Sequence, residues 1–262
     1  MKASPNEEIE DKLRLASPTI YEIIAWEGRE ELARPLDALA WSGLVAGICI
    51  WFCVICEAIL KIHLPPGDNF LIENLGYTAG FLIVILGRFQ LFTENTITVI
   101  LPLLDNFKAY KFWRTMKLWG VVLLFNFIGT FLVAVLITNF DFFGPELFEA
   151  FIDISKHAVI KDFWTIFLTG IPAGFLIATL VWMLPSSENM QFWVILFMIY
   201  IIAVGDMAHI VAGSAEVFLL IINGYIDILQ SLSYLTAAAA GNIIGGTGLF
   251  ALMAYAQVRS EM

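Results

Sequence analysis

Gly205 to Glu216, GDMAHIVAGSAE, interrupts what would otherwise be one long apolar helix, with Ile195 to Tyr200 before it and Val217 to Ile222 after it. In hydrocarbon, ionisable side chains and weak helix formers are costly. The clustering of Asp206, His209 and Glu216 with Gly205 and Gly213 at mid-depth therefore implies a backbone break that faces protein or a water-filled path. A pore is the first hypothesis for such a chain.

Composition agrees. At 60% hydrophobic residues, including 22 Phe, the chain carries more apolar surface than a soluble core hides. A net charge of −10 argues against nucleic acid, which needs clustered Lys and Arg. Cys49, Cys53 and Cys56 share the spacing of an iron–sulfur loop motif, but at i, i+4 and i+7 inside an apolar run they form one helix face of small packing residues. No His, Cys, Asp or Glu set has metal-ligand spacing, so neither a metal nor another cofactor is expected.

A bilayer crossing needs about 20 apolar residues. Runs of that kind lie near 38–60, 71–104, 118–138, 163–184, 192–222 and 229–257, giving six spans. The second and fifth are too long for one straight crossing, and the second is broken by GRFQLFTENT from Gly87 to Thr96. Between spans, residues 105–117 read as a basic loop and 139–162 as a longer acid-rich connection. Ahead of them, 1–18 is acidic and lacks the pattern of a signal peptide. Residues 19–33 place Ile20, Ile23, Ile24 and Leu32 on one face of a short helix at the membrane surface. The division is thus a tail over 1–37, a transmembrane domain over 38–258 and a short tail over 259–262. With both ends in the cytoplasm, ten of the 14 Lys and Arg fall on the inner side, which is the orientation the charge bias favours.

An internal repeat is also visible. Asn126-Phe127-Ile128-Gly129 and Asn242-Ile243-Ile244-Gly245 are offset by 242 − 126 = 116, and the same offset carries Thr93 to position 209. Three spans per half make such a repeat inverted, which brings two half-helix breaks together at mid-membrane.

LFTEN at 91–95, NFIG at 126–129, HIVAGS at 209–214 and GNIIGG at 241–246 resemble the formate/nitrite transporter family. ENLGYTAGF, QLFTENTITVILP and GDMAHIVAGS look most like its YfdC-like branch. The resemblance spans about residues 30 to 258. It implies an all-α membrane protein: an aquaporin-like protomer of six transmembrane helices in an inverted 3+3 repeat, with helices 2 and 5 interrupted. It also implies a homopentamer in the inner membrane, each subunit enclosing a pore for small monovalent anions or neutral weak acids. The family's pore histidine falls on His209, its proton donor, and the threonine bonded to it on Thr93; Leu91, Phe92 and Gly213 complete the pore set.

Several positions depart from the family pattern. Gln90 stands for the usual acid, Glu94 for a small residue, Ala208 for the acid before the histidine, and Gly213 and Gly174 for asparagines. The vestibule lysine has no aligned counterpart, and Lys156 and Lys161 are the nearest candidates. Arg88 is expected in an intramembrane charge network with Glu94, Asp206 or Glu216, because an unpaired arginine at that depth is very costly.

The chain has three possible classes of function. One is a channel or carrier for small anions or their neutral acids, in which a histidine at mid-path donates a proton to a solute that cannot cross an apolar constriction charged. Another is a pore for a small neutral solute, or a family member that has lost anion transport. The third, an intramembrane enzyme or a sensor, would need a paired nucleophile and base; Ser214, five residues from His209, is the only candidate, and the chain is read as no enzyme. A histidine that only pins the two breaks together is the bland alternative to a transport role.

Overall fold

The computed structural model describes residues 14–65 and 67–261, and no strand occurs among them. In chain order the helices are α1 (Ser17–Ala33), α2 (Leu36–His63), α3 (Phe70–Leu86), α4 (Asn95–Asp105), α5 (Ala109–Asn139), α6 (Gly144–Val159), α7 (Phe163–Ser186), α8 (Gln191–Val204), α9 (Ile210–Ile222) and α10 (Ile228–Val258). Helices α2, α5, α7 and α10 are each long and apolar enough to cross a membrane, whereas α3, α4, α8 and α9 are shorter apolar helices. The acidic stretch over 1–13, part of the expected N-terminal tail, lies outside the described residues.

The long helices pack as two pairs, α2 on α5 and α7 on α10, and sequence explains the closeness. Each pair meets through glycines four residues apart, which let backbones touch. A β-carbon on Gly47 of α2 would collide with the Asn126 carbonyl oxygen on α5, and one on Gly174 of α7 would collide with the Asn242 carbonyl oxygen on α10. In α10 the ladder widens to a π-helix over Ile244–Ala251. There Thr247 donates a hydrogen bond to the carbonyl of Thr96 on α4.

Helix α1 starts at a proline and buries Ile20, Tyr21, Ile24, Ala25 and Gly28. It rests on α4, with the Tyr21 hydroxyl 3.1 Å from the Leu101 carbonyl and 2.6 Å from the Asp105 carboxylate. Ile23 and Leu32, expected on the buried face, are only half-buried.

Three boundaries differ from the sequence expectation. The basic stretch before the third span is largely helical, because α5 begins at Ala109 and carries Lys111, Arg114 and Lys117 on its first turns. The acid-rich connection contains α6, whose Glu146 and Glu149 are exposed while Leu147, Phe151 and Ile154 are buried on the side packed against α2 and α9. The second break is also shorter than read: regular helix resumes at Ile210, so Gly213, Ser214 and Glu216 are helical, and only 205–209 are not.

Candidate functional site

Helix α3 ends at Leu86 and α8 at Val204, and the two ends are built alike. The Arg88 N–H donates to Ile85 and the Phe89 N–H to Val84; the Asp206 N–H donates to Ala203 and the Met207 N–H to Ile202. This is the Schellman pattern, which puts one residue in the left-handed region and is usually closed by glycine there. Here the left-handed residues are Arg88 (φ 53°) and Asp206 (φ 48°), each one position after the glycine. Gly87 and Gly205 are needed for space instead. A β-carbon on Gly87 would lie 2.6 Å from the Phe89 ring, and one on Gly205 2.6 Å from the Met207 methyl.

Two buried asparagines then hold the non-helical chain. The Asn126 carbonyl oxygen accepts from the Phe92 N–H at 3.0 Å, while its amide donates to the Gln90 and Gly43 carbonyls at 2.9 and 2.8 Å. Asn242 accepts from the Ile210 N–H at 2.9 Å and donates to Ala208 and Gly170 at 2.9 and 2.8 Å. The clamped positions are offset by 118 (210 − 92 and 208 − 90), not by the 116 that separates the asparagines. Position 91, rather than Thr93, is thus the counterpart of His209. The sequence marked both asparagines as repeat features and missed their task; the signal was an amide inside an apolar helix, which has to find partners.

His209 is 1% exposed and is the N-cap of α9. Its Nδ1 lies 3.2 Å from the Ala212 N–H and accepts from it, and its Nε2 lies 2.8 Å from the Thr93 hydroxyl. With Nδ1 accepting, the proton of a neutral ring sits on Nε2 and points at Thr93 Oγ1, leaving the hydroxyl hydrogen of Thr93 free to donate elsewhere. The ring meets Phe81 edge-on, with centroids 4.8 Å apart. Leu91, Phe92 and Thr93 are sealed, with Phe92 against Trp119. Gly213 is also buried, and the Tyr234 hydroxyl lies where a side chain at 213 would begin.

Two cavities approach this centre from opposite sides. One, of about 280 Å³, reaches His209, Ala208 and Met207 and is roofed by α6. The other, of about 490 Å³, lies beside α1 and reaches Gln90, Phe89 and Glu94. They have no lining residue in common, and Leu91, Phe92 and Thr93 line neither.

The four charged residues expected in one network separate. Arg88 lies in the α1-side cavity and pairs with Glu27 at 3.2 Å; its side chain is 78% exposed, so it is not the buried cation that the sequence implied. Glu94 lines the same cavity. Asp206 and Glu216 line the α6-side cavity, where Lys161 donates to Asp206 at 2.6 Å. Lys161 thus lines the α6-side cavity already paired, whereas Lys156 sits over the Tyr225 ring at 3.9 Å and does not line the cavity. Beside Lys161, the hydroxyl of Thr165 and the N–H groups of Thr165 and Trp164 hold the Asp162 carboxyl below the usual carboxylate range. Sequence reasoning did not single out Tyr77, Tyr234 or Lys61, which line the same cavity with Glu57. Among the described residues no group of three or more His, Cys, Asp and Glu comes together as a metal site.

Among the described residues, a helical bundle with membrane-length apolar helices and a buried polar pair near two cavities has the architecture of a membrane transport protein. The chain belongs to the formate/nitrite transporter family, which it matches over residues 18–256. It is 40% identical to the inner membrane protein YfdC of Escherichia coli (strain K12), over 97% of this chain and 82% of that protein. It is 24% identical to the uncharacterized transporter YrhG of Bacillus subtilis (strain 168), over 87% and 89% of the two chains. Its fold matches a pentameric formate channel with formate bound (TM-score 0.71, 20% identity, 86% of this chain and 98% of that one). It also matches an FNT family ion channel (TM-score 0.76, 17% identity, 92% and 98%).

Proposed function

We propose that the chain forms a homopentamer in the inner membrane, with a separate pore for small monovalent weak acids such as formate through each subunit. The transmembrane domain over 38–258 is six spans in an inverted 3+3 repeat: α2, α3 with α4, and α5, then α7, α8 with α9, and α10. Both terminal tails, 1–37 and 259–262, lie in the cytoplasm, so the α6-side cavity opens outward and the α1-side cavity inward. The solute passes His209 and Thr93 between them, with Leu91, Phe92 and Gly213 in the wall of the narrow part. The match to a pentameric formate channel supports the assembly and the solute class.

The observation that carries this reading is the buried His209–Thr93 pair at the head of one cavity. A charged solute is very costly in an apolar constriction, and its neutral acid is not. The proton comes from a doubly protonated ring. When Nδ1 carries a proton it releases the Ala212 N–H, Nε2 gives its proton to Thr93 Oγ1, and the Thr93 hydroxyl proton passes to the anion. The ring ends neutral and the solute leaves as the acid.

Flux of formate, nitrite and acetate into proteoliposomes across pH tests this. Formate uptake rises as pH falls, and His209→Ala abolishes it with the pentamer intact. Uptake that is unaltered by His209→Ala, or flux of none of the three, would overturn it. A second reading, passage of a small neutral solute, draws on the acid-rich lining of both cavities; flux indifferent to pH and membrane potential would favour it.

A further inference from the structure

We propose that the α6-side cavity binds a small ammonium-type cation, ammonium or a short primary amine, with Glu216 as counter-ion and the Tyr234 hydroxyl as a hydrogen-bond acceptor. Five carboxylates line this cavity against two lysines, and both lysines are taken: Lys61 pairs with Asp153 at 3.7 Å and Lys161 with Asp206. Glu57, Glu73 and Glu216 are left uncompensated.

Glu216 is the decisive one. It is 4% exposed, lines the cavity, and has no hydrogen-bond or ion-pair partner among the described residues. Unpaired in the cavity wall, its carboxyl stays charged only beside a cation or a hydrogen-bond donor and otherwise takes up a proton, so an ammonium group supplies what the cavity lacks. Tyr234, 2% exposed, lines the same cavity, and its hydroxyl has no hydrogen-bond partner among the described residues. Tyr77 adds an aromatic ring, a surface that attracts cations. A metal ion fits less well, because no three ligating side chains converge here among the described residues. An N–H cation asks for what is present: one close carboxylate, a phenol oxygen and aromatic walls. Glu216 is also absent from the proton path proposed for His209, so the cavity has a polar feature which that path does not use.

Titration of the purified pentamer with methylammonium chloride at fixed ionic strength, followed by calorimetry, tests the proposal. Saturable binding is expected, with tetramethylammonium, which has no N–H, and sodium binding at least about tenfold more weakly. Glu216→Gln should weaken methylammonium about tenfold or more, and Lys161→Gln, which frees Asp206, should tighten it several-fold. No saturable binding to the unaltered protein, or an unchanged affinity in Glu216→Gln, overturns it. If Glu216→Gln does not assemble, an unchanged or weaker affinity in Lys161→Gln overturns it instead. The readout is equilibrium binding, so it is independent of formate flux.

Discussion

The breaks at 87–94 and 205–209 solve one backbone problem twice and put different chemistry on the result. Both end a helix with the same pair of turn hydrogen bonds, place a non-glycine residue at positive φ, and hang on the side-chain amide of a buried asparagine. They diverge beyond the turn. After the first turn the chain seals Leu91, Phe92 and Thr93; after the second it caps α9 with His209, which faces a cavity. The frame is shared because unpaired backbone groups are prohibitive in lipid, so each break needs the same donors and acceptors. The chemistry is free to differ because the clamps hold main chain and leave the side chains open.

The largest effect separates frame from chemistry. Asn126→Ala and Asn242→Ala each strip three hydrogen bonds from buried backbone, at a cost of about 2 kcal/mol or more. Thermal melting of the detergent-solubilised protein should fall by a similar amount for both, whereas formate flux should suffer more in Asn242→Ala, which unseats the start of α9. Melting points that differ widely would break the equivalence of the two clamps. Next, Gly87→Ala and Gly205→Ala force Phe89 or Met207 to move, and overpacking of this kind costs about 1–3 kcal/mol; the Gly87 variant should be the worse, since a ring yields less than a methionine.

Smaller still is the strain at positive φ. A left-handed non-glycine residue costs roughly 1–2 kcal/mol. Arg88→Gly should raise the melting point, because its ion pair with Glu27 is mostly solvated. Asp206→Gly should gain less, since it also leaves Lys161 unpaired. Equal gains would show that the Lys161–Asp206 pair contributes little. The smallest effect lies outside the breaks. Asp162 has a lowered folded pKa, so its contribution to stability is present above the ordinary carboxylate range and is lost as pH falls through the folded value. Asp162→Asn should therefore melt slightly below the unaltered protein at neutral pH, and the gap should close in acid.

Much of this was legible in the chain itself. Apolar length and polar interruptions located the long helices and both broken segments, because hydrocarbon tolerates so few alternatives that hydropathy carries most of the information. His209 and Thr93 could be named as a pair from motif resemblance, and the hydrogen bond between them is present. Other features could not be read from sequence. In each break it is the residue after the glycine that takes the left-handed conformation, while Phe89 and Met207 fold back over Gly87 and Gly205. Arg88 was expected among Asp206 and Glu216, and it lies instead in the other cavity with a glutamate from α1. Residues 139–162 read only as an acid-rich connection, because Glu146, Glu149 and Asp153 mask the spacing of Leu147, Phe151 and Ile154. Local composition determines where a helix can exist and where it has to break, whereas ion-pair partners, cavity walls and the seat of strain depend on contacts between distant segments, which only the packed structure decides.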